Sequence, residues 1–389
     1  MSYFKDVKLL VIAVSVVSFW TVELAAVGPV VDQTSGDLVY IAGIDGRQPG
    51  AETVTGDIAQ QVRQTFENLK NKLKLEGIDL SHVVSVNVYL SDVRNYGPMN
   101  EVYRSFFTSD PPVRATVQAD LQAHGALVQI SLVAVRYGVN HKIIKPSELQ
   151  SPALPYSWGV LVGDTLFISG ATSRDPKTYQ PKLLDMAGQT RQVLDNIGSV
   201  LKSAGMSYGD VVACKVFLDD ARAFQEMNGA YRTFFPADPP ARATVRSRLM
   251  NPAFLSEIQC TAVKDSSRRV VIPEGATRSS SPLSPGIQVG NRLYLSGMTG
   301  RGPDGYAPGD VEEQTRQSLE NLQATLRAAG MDLTNVQEVL IYVTDIRDAE
   351  KVLNVYRESV GNKSIPLTVV GTPLMSPVAL VEIMMTASN

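Results

Sequence analysis

Apolar and polar positions along the chain follow one order, and that order comes round three times. A short apolar strand after turn residues (38–42, 166–169, 293–296) leads into a stretch with apolar residues at helical spacing (59–77, 187–205, 311–330). Each helical stretch closes on a glycine, the residue that enters the left-handed conformation at a helix end without strain. A β-branched strand follows and ends in Asp92, Asp220 or Asp345, where a carboxylate is placed to cap the next helix. That second helix carries Tyr103, Tyr231 or Tyr356, and two strands separated by a Pro- or Gly-bearing loop complete the unit. The order predicts an α+β fold, a mixed β-sheet with two helices on one face.

The register of the copies is tight. Gly43, Gly170 and Gly297 are spaced by 127 residues each time, and Gln61-Val62-Arg63-Gln64 recurs as Gln189-Thr190-Arg191-Gln192 and Gln314-Thr315-Arg316-Gln317. These helix repeats read as packing and surface positions, because their neighbours fall at helical spacing. A period of this size suits a small domain and is too long for solenoid units of roughly 20–50 residues. Three domains are expected over 1–140, 141–265 and 266–389, with linkers rich in Pro, Ser and charge at 139–155 and 264–285.

Composition narrows the function classes. A net charge of −3 over 389 residues, with Arg268-Arg269 as the longest obvious basic run, gives no electrostatic reason to expect nucleic acid. The two cysteines, Cys214 and Cys260, lie in apolar strands of the second copy and make neither a disulfide framework nor a metal site. His82, His124 and His141 lack metal-ligand spacing, so no metal is expected; His124 reads as an exposed loop residue. At the N-terminus, Lys5 and Lys8 precede an uncharged stretch, 9–22, that is short for a membrane span of about 20 residues. The favoured reading is a buried strand around Val16-Val17, at the same offset before Val30 as Ile143-Ile144 before Tyr156, which makes the protein cytoplasmic. The alternative, residues 1–26 as a signal peptide of an exported protein, stays open.

The chemistry concentrates at one motif. Pro112-Val113-Arg114-Ala115-Thr116-Val117 recurs as Pro240-Ala241-Arg242-Ala243-Thr244-Val245 and as Pro366-Leu367-Thr368-Val369, where Leu367 replaces the arginine. Arginine is the side chain best shaped to fork a carboxylate. Fifteen residues after each of these positions stand Gln129, Glu257 and Glu382, so the second copy alone has both charges. A strand, loop and returning strand would bring Arg242 near Glu257. Two readings follow: a structural ion pair bracing two strands, or an arginine that anchors a carboxylate beside a glutamate that handles a proton.

The strings Leu166-Phe167-Ile168-Ser169-Gly170, Met227-Asn228-Gly229-Ala230-Tyr231, Phe235-Pro236-Ala237-Asp238-Pro239-Pro240-Ala241-Arg242 and Ser256-Glu257-Ile258 resemble the Rid family, also called YjgF or endoribonuclease L-PSP. The resemblance covers all three copies. It implies three tandem Rid-like domains arranged as a pseudo-threefold trimer within one chain, as in the related chorismatases, so that the chain is a monomer. It also implies hydrolysis of a small 2-imino or enamino acid to a 2-keto acid and ammonia, with a small-molecule carboxylate as partner and no cofactor, because an imine carbon is already electrophilic. Carried over, Arg242 clamps the substrate carboxylate and Glu257 positions water. Ser169 and the Gly170 amide hold a substrate oxygen, and Tyr156 and Asn228 line the cleft. Thr244, and Thr116 in the first copy, stand where the family often has cysteine, which removes thiol chemistry. The first copy keeps Arg114, Asn100 and Gly43 as carboxylate-binding residues but has Ala42, Val30 and Gln129. The third keeps Ser296, Gly297 and Glu382 but has Leu283, Leu353 and Leu367, which suggests a filled, dry cleft. Because family sites straddle subunits, Arg242 faces either Ser296-Gly297 or Ala42-Gly43. Rival readings are a non-catalytic carboxylate-binding or scaffold protein and a specialised biosynthetic enzyme related to chorismatases.

Overall fold

The computed structural model describes residues 37–302, 305, 309–361 and 364–389. The expected strand around Val16-Val17, the signal-peptide question and Val30 lie outside the described residues. The first domain comprises β1 (Leu38–Asp45), α1 (Ile58–Leu75), β2 (Val83–Leu90), α2 (Tyr96–Phe106), β3 (Val113–Gln118) and β4 (Val128–Val135), with strand order β1-β4-β2-β3. The second comprises β5 (His141–Ile144), β6 (Gly159–Val162), β7 (Thr165–Ile168), β8 (Ala171–Thr172), α3 (Met186–Ser203), β9 (Val211–Leu218), α4 (Phe224–Phe234), β10 (Ala241–Arg246) and β11 (Ser256–Val263). The third repeats this with β12 (Arg269–Val271), β13 (Gly286–Val289), β14 (Arg292–Leu295), β15 (Met298–Thr299), α5 (Val311–Ala328), β16 (Val336–Val343), α6 (Ala349–Val360), β17 (Leu367–Gly371) and β18 (Val381–Ser388). These two sheets run β10-β9-β11-β7-β6-β5 and β12-β13-β14-β18-β16-β17. Both stretches expected as linkers thus contain a short strand, β5 or β12, each paired into the sheet that follows it.

Each sheet is mixed because one crossover is parallel. β2 pairs with β3, β9 with β10 and β16 with β17 in parallel, a connection too long for a hairpin and made here by the second helix. The long helices bury residues at three- and four-residue steps, such as Val62, Phe66, Leu69 and Leu73 in α1, and end at Gly77, Gly205 and Gly330 with φ of 74°, 70° and 74°. Asp92, Asp220 and Asp345 do cap, but one turn earlier than expected. Their side chains accept from the amides of Arg94, Arg222 and Arg347 in a short 3-10 turn that precedes the second helix.

The sheets are buried on both faces. One face packs on the domain's own helices, through cores built around Phe66, Val193 and Leu322. The other meets the neighbouring sheets in a core that mixes Tyr89, Phe217, Tyr294 and Tyr342 from all three domains. That two-sided burial explains why β2, β9 and β16 are mostly apolar, broken only by Ser85 and Asn87, by Lys215, and by Gln337 and Glu338. The contacts run from first to second domain (Val117 with Leu249), second to third (Val245 with Leu374) and third to first (Asp120 with Gly371).

Cys214 and Cys260 are disulfide-bonded, a correction to the expectation that they form no disulfide framework. Antiparallel β9 and β11 set them directly opposite one another, a register that their positions in the sequence do not reveal. Among the described residues no helix is long and apolar enough to cross a membrane.

Candidate functional site in the interdomain clefts

Arg114 and Arg242 lie on edge strands, β3 and β10, and each edge runs into the next domain. The amide of Arg114 donates to Ser169 Oγ at 2.8 Å, and Gly170 N–H returns a bond to Arg114 O at 3.0 Å. Arg242 repeats the arrangement with Ser296 Oγ at 2.7 Å and Gly297 N–H at 3.1 Å. The third junction is different in kind: Gly43 N–H donates to Thr368 Oγ1 at 2.9 Å, and Ala42 offers no hydroxyl to the facing strand.

The expectation that Arg242 and Glu257 meet inside one domain is therefore corrected. β9 lies between β10 and β11, and the two side chains belong to different interdomain junctions. Glu257 lines a cavity of about 140 Å³ with Arg114, Thr116, Tyr156, Gly170 and Arg174. Glu382 takes the equivalent place opposite Arg242, accepting the Thr244 amide and feeling the guanidinium's charge. The pairs are thus Arg114 with Glu257 and Arg242 with Glu382, each across a domain boundary. Leu367 faces Gln129 in the third cleft, a cavity of about 550 Å³ that also contains Leu353, Arg47 and exposed His124. This cleft is not filled, as its leucines had suggested, and Leu283 does not line it.

Both arginines are almost wholly buried yet incompletely bonded. Arg114 Nη2 donates to Asn100 Oδ1 at 2.7 Å, its guanidinium lies 4.7 Å from the Tyr103 ring, and Nη1 is buried without a partner. Arg242 Nη2 donates to Asn228 Oδ1 at 2.8 Å over Tyr231 at 4.8 Å, with Nη1 and Nε unpartnered. Each buried guanidinium thus keeps hydrogen-bond donors that no protein group accepts. Burial pushes Glu257 from an ordinary value of 4.5 up to about 8, against the pull of the Thr116 amide and of Arg114. It pushes Glu382 up to about 7, against the Thr244 amide and Arg242. No ion pair joins either glutamate to its arginine among the described contacts.

The remaining expected site residues divide between the clefts. Tyr156 belongs with Arg114, 5.6 Å from its guanidinium and hydrogen-bonded to Tyr179; Asn228 and Thr244 belong with Arg242. Ser169 Oγ donates to Ser157 O at 2.6 Å as well as accepting from Arg114, and the Gly170 amide is taken by Arg114 O. Their expected hold on a substrate oxygen therefore gives way to a role in joining the domains. What Gly170 gives the cleft is its missing side chain, since a Cβ there would overlap Glu257 Oε1.

Two features escaped the sequence reading. Gln189, buried in α3, donates to Ala253 O at 2.9 Å and accepts from the amide of Leu255 at 2.9 Å, two residues before Glu257. Gln61 and Gln314 do the same ahead of Gln129 and Glu382. Arg174 lies on the wall of the first cleft; its signal was available, because Arg47, Arg174 and Arg301 recur four residues after each motif glycine.

The endoribonuclease L-PSP profile matches three times, over residues 21–136, 147–264 and 274–389. The chain belongs to this family, the Rid family, three times over. A RutC family protein from Sulfurisphaera tokodaii is 45% identical over 105 residues, covering 27% of this chain and 84% of the relative. A protein from Bos taurus named 2-iminobutanoate/2-iminopropanoate deaminase is 35% identical over 123 residues, covering 32% of this chain and 90% of the relative. A solved chorismatase structure aligns over 91% of this chain and 99% of its own, with a TM-score of 0.54 and 14% identity. That likeness extends to the fold.

Proposed function

We propose that this Rid-family chain is a fused pseudo-trimer that hydrolyses small 2-imino or enamino acids to 2-keto acids and ammonia in two clefts, one around Arg114 and Glu257 and the other around Arg242 and Glu382. The observation that carries this reading is the unpartnered Nη1 of each buried arginine opposite a carboxyl group titrating near neutrality, each pair supplied by two domains. The arginine takes the substrate carboxylate and fixes the imine carbon in place. A carboxyl with a pKa near the working pH passes protons in both directions. It protonates the imine nitrogen, receives a proton as the water oxygen bonds to the carbon, returns it to nitrogen, and takes up the remaining hydroxyl proton as the C–N bond breaks, which restores the acid. Imine and water become keto acid and ammonia, with no change of oxidation state. The name of the bovine relative points the same way.

The test is ammonia release while an amino-acid oxidase generates imines in situ. Arg114→Met and Arg242→Met should each leave partial activity, and the double variant should fall by about 10²-fold or more, the scale of lost positioning. No acceleration by the parent protein, or full activity in the double variant, would overturn the assignment. Stabilisation by keto acids without turnover would favour the binding-protein reading instead.

A further inference from the structure

The first cleft contains a second guanidinium that the hydrolytic step does not use. Arg174 lines the same cavity as Arg114 and Glu257. Its guanidinium lies 4.3 Å from the Tyr179 ring and 4.7 Å from the Phe254 ring, and Nη1 donates to Tyr179 O at 2.9 Å. Two rings and a carbonyl therefore fix its orientation, while Nε and Nη2 make no hydrogen bond among the described residues. No carboxylate forms an ion pair with it there, and nearby Asp175 is turned to Lys182.

The equivalent arginines are arranged differently. Arg47, in the third cleft, is neutralised by Asp45 at 3.0 Å, a residue that stands where the first cleft has Thr172. Arg301 is exposed and has Ala379 where Arg174 has Phe254. Of the three, Arg174 is the one both held by aromatic rings and left with its charge unmatched. An arginine needed only for packing would be matched by a protein anion, as Arg47 is.

We propose that the first cleft selects 2-imino acids bearing a second carboxylate, with Arg114 receiving the carboxylate beside the imine and Arg174 the distal one. The proposal rests on the hydrolytic reading for its imine, but binding tests it separately. In an Arg242→Met background, which confines the arginine-dependent site to this cleft, 2-oxoglutarate and 2-oxobutanoate are titrated calorimetrically as product-side probes. The expected result is roughly tenfold or more tighter binding of 2-oxoglutarate, since a fixed, unmatched guanidinium adds a charge-assisted contact. Arg174→Met should abolish that preference while leaving 2-oxobutanoate within about twofold, a change too small to count as a lost contact. Should that variant not fold, Arg174→Gln is read in the same way. Equal affinities, a preference that survives loss of Arg174, or no binding of either acid overturns the proposal. An Arg174-dependent preference without imine hydrolysis keeps this assignment and removes the hydrolytic one; hydrolysis without the preference does the reverse.

Discussion

At the scale of single residues, the two buried glutamates tie acid–base behaviour to stability. Each has a folded pKa raised above its ordinary 4.5, to about 8 for Glu257 and about 7 for Glu382. The folded state then binds the proton more tightly than the unfolded state. The stability this contributes is complete below about pH 4.5 and is lost as pH rises toward the folded value. Glu257→Gln should therefore leave stability near pH 4.5 little changed and raise it near pH 9 by up to about 5 kcal/mol, read by urea unfolding at both pH values. Glu382→Gln should behave alike, with its gain already complete near pH 8. A gain confined to acid pH would contradict the burial of these carboxyls as neutral groups. The residue types were legible in the sequence, for Arg114, Arg242, Glu257 and Glu382 all stood out. Their partners were not, because an antiparallel return suggests neighbours within one domain and nothing local records that β9 intervenes.

Among the elements, the buried glutamine of each long helix decides where the glutamate strand begins. Gln189 satisfies a carbonyl and an amide of the loop that delivers β11, so Gln189→Leu would orphan Ala253 O and the Leu255 amide together. A cost of about 1–3 kcal/mol for each orphaned buried group is expected, measurable by urea unfolding. Turnover at the first cleft should fall in an Arg242→Met background, while Gln61→Leu, which acts on the Gln129 strand, should cost stability without touching turnover. Helices, their glycine ends and the order of elements along the chain were readable from periodicity, since those signals are local, whereas the order of strands within each sheet was not. The Gln-Thr-Arg-Gln repeat announced packing but not its purpose, because a glutamine's partners lie 64 to 66 residues away. The Cys214–Cys260 bond was hidden for the same reason.

Over the whole molecule, the two losses that looked like separate retirements fall on one cleft. Gln129 in the first domain and Leu367 in the third face the same cavity, so the chain keeps the arginine–glutamate pair at two junctions and loses it at the third. The centre of the molecule has its own charge problem. Lys215 of the second domain and Glu338 of the third line an internal cavity with Asn87 of the first. Burial lowers the lysine pKa and raises that of the glutamate, each opposed by the other. Glu338→Gln alone should destabilise by leaving the ammonium without its counter-charge, and Lys215→Met added to it should restore most of the loss. A double-mutant cycle in urea checks this, and additive effects would show that the two charges do not interact.

The peptide backbone crosses from domain to domain at two of the three junctions, and those are the junctions with an arginine facing a glutamate. Tethered neighbours that come apart meet again at a high effective concentration. The junction of first and third domains has no such tether, so it is the one through which a closed ring of three would breathe. It is also the cleft with Leu367 opposite Gln129, and a fluctuation there exposes a cavity with neither charge of the pair to lose.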